Sequence, residues 1–99
     1  MKQASVASLF ALLIPPPVRT DADIASLLGV ELSLLRARLV ELRERGVLTG
    51  PFETEAGEIW KSWFSTAADT EAAAGRSGLR SDAPVVLPMP WWRRGFARS

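Results

Sequence analysis

The sequence predicts a small, mainly α domain in which two short helices are joined by a glycine turn. A minimal β-hairpin, an additional C-terminal helix and an extended tail follow. Three observations predict it. The stretch Thr20 to Gly46, TDADIASLLGVELSLLRARLVELRERG, carries helix start and stop signals twice. VLTGPFE at 47–53 places a glycine–proline turn between two short apolar pieces. From Thr54 the apolar residues return to helical spacing.

Each element has its own signals. Over 3–14, Val6, Leu9, Phe10 and Leu13 form one apolar stripe, and three prolines at 15–17 end the helix. Thr20 is an N-cap with Asp23 three residues later, and Asp21 and Asp23 suit the positive end of the helix dipole. That helix stops at Gly29, which can take the left-handed cap. The next covers about 31–45 and closes at Gly46, with Arg43 and Arg45 in its last turn. A final helix is expected from a Thr54 cap to about Gly75, with Ile59, Trp60, Trp63, Phe64 and Ala67 on one face. The domain is thus expected over 1–74, with GRSGLRSDA supplying a linker at 75–83 and a proline-, tryptophan- and arginine-rich tail at 84–99.

Composition excludes several chemistries. The 99-residue chain has neither cysteine nor histidine, so disulfides, the usual zinc ligands and histidine-based triads are out. With no phosphate-binding glycine loop and no nucleophile–base pair in view, no enzyme activity, cofactor or metal is expected. The net charge is +1 but unevenly spread: near neutral over 1–50, −4 over 51–75 and +4 over 76–99. The apolar run Val6 to Ile14 lacks a small-x-small cleavage site and no segment could span a bilayer, so a cytoplasmic protein without membrane contact is expected.

The central stretch resembles the helix-turn-helix pattern. Counting from Asp21, the small residue at the fifth position is Ala25, the glycine at the ninth is Gly29 and the aliphatic at the fifteenth is Leu35. LVELRERGVLTG resembles the end of a recognition helix and a first wing strand, and ETEAGEIW resembles the LTEAG start of the helix after the wing in winged-helix regulators such as MarR and PadR. The resemblance covers about residues 4–70, with a much shortened wing. It implies a winged helix-turn-helix fold, a homodimer and DNA binding in the major groove, with half-sites about one turn apart.

On the second helix of that pair, Leu32, Leu35, Leu39 and Leu42 form the buried stripe and Ser33, Ala37, Val40 and Glu44 the outermost face. Arg36 is the candidate for a guanine edge, Ser33 for a base or phosphate, and Ala37 for a thymine methyl. Arg38, Arg43 and Arg45 are assigned to phosphates, with Thr20 in the same contact set. On this reading Arg36→Ala removes specific DNA binding and leaves the fold intact. The expected function is a dimeric DNA-binding transcriptional regulator; the alternative is a winged-helix protein–protein module that does not read DNA.

Leu9, Phe10, Leu13, Trp60, Trp63 and Phe64 are the expected dimer contacts. The tail offers Trp91, Trp92, Arg93, Arg94, Phe96 and Arg98, which could dock on the domain or a protein partner, stack on single-stranded bases, follow a DNA groove or anchor at an anionic surface.

Overall fold

The computed structural model describes residues 4–86, in which four helices accompany one antiparallel two-stranded hairpin. The order is α1 (Val6–Leu13), α2 (Asp21–Leu28), α3 (Leu32–Glu44), β1 (Leu48–Thr54), β2 (Gly57–Ser62) and α4 (Ala67–Arg76). The class is therefore mixed α/β rather than mainly α.

Helices α2 and α3 follow the expected boundaries closely, while α1 is shorter than expected and starts at Val6 after an extended Ser5 cap. The Ser8 N–H donates to the Ser5 hydroxyl at the start of α1, and the Asp23 N–H donates to Thr20 Oγ1 at 3.2 Å at the start of α2. Gly29 has φ +71, and the Val30 N–H reaches the Ala25 carbonyl at 3.0 Å, closing the left-handed cap. On α3, Leu35, Leu39 and Leu42 are fully buried against Val6, Leu9, Phe10 and Ile24.

After Gly46 the structure departs from expectation. The hairpin does not turn at Gly50–Pro51. It turns at Glu55–Ala56, where Thr54 pairs with Gly57 and Thr54 Oγ1 donates to the Gly57 carbonyl at 2.6 Å. Thr54 therefore closes a β-turn instead of capping a helix. Residues 57–62 form a strand because Trp60 enters the core while Ile59 and Lys61 point the other way, a period of two. In a short apolar run this alternation competes with helical spacing, and burial of Trp60 decides it. Helix α4 starts only at Ala67, capped by Thr66, whose Oγ1 accepts from the Asp69 N–H at 3.0 Å.

Gly50 and Pro51 form a bulge in β1, between the pairs Thr49–Lys61 and Phe52–Ile59. Gly50 has φ +137, and a Cβ there would sit 3.3 Å from both the Ile59 carbonyl oxygen and Trp60 Cε3. Gly50→Ala is expected to destabilise by about 1–3 kcal/mol in urea unfolding, combining backbone strain with a clash that the buried Trp60 cannot relieve. A change within about 0.5 kcal/mol would refute a required glycine here.

The expected linker at 75–83 is instead part of the packed structure. Helix α4 runs through Gly75 to Arg76 and packs on α1. The chain then returns along the N-terminus of α1. The Val6 N–H donates to the Ala83 carbonyl and the Ala7 N–H to the Ser81 carbonyl, both at 2.9 Å, and the Val85 N–H donates to the Ala4 carbonyl at 3.0 Å. These contacts satisfy amide groups that the first turn of a helix leaves open. Leu79 and Val85 join the core. The small, polar composition of 75–83 hides the anchor at Leu79, which is why it reads as a linker.

Candidate interface on the third helix

Helix α3 presents Ser33, Arg36, Ala37, Val40 and Glu44 to solvent, as its spacing predicts. The arginines around this face are placed differently from expectation. The Arg36 Nε donates to Asp21 Oδ2 at 2.9 Å and Nη2 to Oδ1 at 3.4 Å, while Nη2 also lies 3.6 Å from Glu58 Oε1. Asp21 is only 1% exposed, and the Trp60 Nε1–H points at its Oδ2 at 3.4 Å. One guanidinium thus ties α2, α3 and β2 together. The hydrogen bond to Asp21 raises the Arg36 pKa above its ordinary value, against some desolvation, and the charges of Asp21 and Glu58 add to the rise. Arg36 nevertheless remains 44% exposed along its side chain.

Arg38 is a correction. It is 3% exposed, not on the surface, so it has no access to a phosphate. Its Nη2 donates to the Pro84 carbonyl at 2.6 Å, its Nε donates to the Val85 carbonyl at 3.3 Å, and Nη1 pairs with Glu41. Burial lowers the Arg38 pKa, partly opposed by Glu41. Arg43 is half-buried: Nη1 donates to the Gly50 carbonyl at 3.0 Å, and the guanidinium carbon lies 5.9 Å from the Trp60 ring centre. Arg45 binds Glu41 through Nε and Nη2 and the Ser77 carbonyl through Nη1 at 2.7 Å. Thr20 is also withdrawn from the surface. It is 6% exposed, its hydroxyl is occupied by the α2 cap, and its methyl lies under the hairpin turn at Gly57.

The expected dimer contacts divide sharply. Leu9, Phe10, Leu13 and Trp60 are at most 5% exposed and lie in the subunit's own core, so they offer nothing to a second copy. This is a correction with a simple cause: α1 and Trp60 cover the α2–α3 pair, the main apolar surface this small chain must bury. Phe64 is half-buried, and Trp63 stands in solvent at 66% exposure. Trp91, Trp92, Arg93, Arg94, Phe96 and Arg98 lie outside the described residues.

Two members of the site escape sequence reasoning. Asp21 reads as an ordinary helix-dipole acid, and Glu58 as part of an acidic stretch. Nothing in their spacing links them to Arg36, because the three meet only once the hairpin folds back over α2. Among the described residues no group of three acidic side chains is placed to hold a metal ion, and no helix is long and apolar enough to cross a membrane. Compared with models of protein families, curated proteins and solved structures, the chain matches none.

Proposed function

We propose that this chain is a winged-helix-type interaction module that docks a protein partner on the outward face of α3. The winged-helix reading is supported by the element order, with α2, a left-handed glycine and α3 followed directly by a hairpin. One observation carries the choice of partner: every arginine of α3, and Arg45 at its C-cap, is already bonded to a group within the subunit. Phosphate binding draws on cations free to displace counterions. Beside the engaged Arg36, α3 leaves Ser33, Ala37 and Val40 facing outward, with Glu44 opposing any polyanion.

DNA reading is the second use of the same face, and the exposure of Arg36 favours it. Its Nη1 takes no part in the contacts with Asp21 and Glu58, and a guanine edge could be reached from there. One experiment separates the two. Wild-type protein is titrated into a fluorescent random-sequence duplex across a salt series. The expected result is no salt-dependent binding. A linear fall of log affinity with log salt would overturn the protein-docking reading and establish duplex binding. In the positive arm, Val40→Asp is expected to abolish a genetically selected protein interaction that Leu27→Ala, an exposed change on α2, leaves intact. Loss with both variants or with neither would count against α3 as the docking face.

A further inference from the structure

We propose that the partner docked on α3 is a second copy of this chain, the two α3 helices lying antiparallel about a two-fold axis at Val40. The inference rests on the docking reading and names its occupant. Ser33, Ala37, Val40 and Glu44 are all exposed and follow one another in steps of four, three and four residues. That spacing is the seam along which paired helices pack. It runs opposite Leu35, Leu39 and Leu42, which bury α3 against its own core. Val40, 38% exposed, is the large apolar side chain of the seam.

The charges at the two ends of the seam choose the partner. Arg36 holds Asp21 and Glu58 through Nε and Nη2, which leaves its Nη1 edge open on a side chain that is 44% exposed. Among the described residues Glu44 pairs with no cation. The two stand on one helix with a rise of about 12 Å between them, so they do not meet each other. Each lies four residues from Val40. A second α3 turned antiparallel about Val40 brings each Arg36 level with the partner's Glu44, and the reverse. One patch then supplies both halves of each contact, as a two-fold interface requires. A parallel pairing sets arginine against arginine and glutamate against glutamate. A partner of one charge sign satisfies one end of the seam and is repelled at the other. Ser33 and Ala37 are short enough for the helix axes to approach to about 8–10 Å. The contact is one helix face wide, so the expected dimer is weak, with a dissociation constant between about 10 μM and about 1 mM.

Sedimentation equilibrium of the full-length chain from about 10 μM to about 1 mM tests the pairing. The mass is expected to rise from 10.8 kDa towards twice that value. Val40→Asp, which sets two carboxylates face to face at the axis, is expected to keep the chain monomeric. Glu44→Arg opposes Arg36 to a second cation and is expected to raise the dissociation constant about tenfold or more. Glu31→Arg, the same charge change at the exposed N-cap of α3, is expected to leave it within about twofold. Register is read with introduced cysteines, since the chain has none of its own. Val40→Cys is expected to give a disulfide-linked dimer in air, because the axis sets each residue 40 against its counterpart. Ser33→Cys, with its counterpart about 20 Å away along the pair, is expected not to. Val40 and Glu44 are exposed, so their variants are expected to melt close to wild type, which circular dichroism checks. A chain that stays monomeric, a dimer indifferent to Val40→Asp or Glu44→Arg, or a cross-link as fast at Ser33→Cys as at Val40→Cys would overturn the pairing. So would self-association that disappears only on removal of 87–99, which would assign it to the tail. A monomeric wild type whose selected protein interaction still fails in Val40→Asp would overturn the second copy alone and leave α3 as the docking face.

Discussion

Arg36→Ala is expected to destabilise the protein more than Asp21→Asn, although Arg36 is the more exposed partner. The asymmetry follows from what each change leaves behind. Removing the guanidinium strands a carboxylate that is 1% exposed, with only the Trp60 indole N–H at 3.4 Å for company. Removing the carboxylate charge leaves a guanidinium that is 44% exposed and can be hydrated. Breaking an ion pair from the side that leaves the buried charge uncompensated is the more costly direction, and here the stranded charge is the Asp21 carboxylate. Urea unfolding followed by circular dichroism at neutral pH measures both variants. If Asp21→Asn proves equally or more damaging, the clamp is not anchored on a buried carboxylate. The same reasoning corrects the sequence-based expectation that Arg36→Ala leaves the fold intact. A functional test at this position is better made with Arg36→Lys, which keeps a cation for Asp21 and removes the two-pronged contact.

The second large effect belongs to Arg38. Arg38→Ala is expected to free the C-terminal return from α3 and to cost about 3 kcal/mol, since two backbone acceptors at Pro84 and Val85 lose their donor at once. The local consequence is more diagnostic than the global one. Arg80 is already exposed, with its side chain 83% accessible, but the flanking chain is held by Val6, Ala7 and Ala4. Trypsin is therefore expected to cut after Arg80 about tenfold faster in Arg38→Ala than in wild type. Arg38→Lys, which restores one donor, is expected to recover part of the protection. Cleavage at the wild-type rate in Arg38→Ala would show that Leu79 and Val85 hold the segment without it.

The elements written in local chemistry were legible. Thr20 followed by Asp23, the glycine at 29 and the leucines at 35, 39 and 42 each act within a few residues of themselves, and all three features stand where spacing put them. The stretch 54–64 was not legible, because Ile59, Trp60, Trp63 and Phe64 satisfy both a helical stripe and a strand alternation. The choice was made by the pocket beside Asp21 that accepts Trp60. Residues 75–83 misled for the opposite reason: their glycines and serines describe a linker, while Leu79 and the carbonyls of Ser81 and Ala83 find partners on α1.

The candidate site divides along the same line. The sequence by itself determined that α2 and α3 would be joined by a left-handed glycine, that Ser33, Ala37 and Val40 would face outward, and that no cysteine or histidine chemistry was available. Only the tertiary structure decided what the arginines do. Arg36, Arg38, Arg43 and Arg45 look alike along the helix, yet each ends on a group 3 to 47 residues away that folding brings near: Asp21, Glu41 and the Val85 carbonyl, the Gly50 carbonyl, and the Ser77 carbonyl. A helix periodicity states which way a side chain points. Whether a long cation on that side meets a phosphate, a partner or its own subunit depends on where distant backbone carbonyls and carboxylates come to rest.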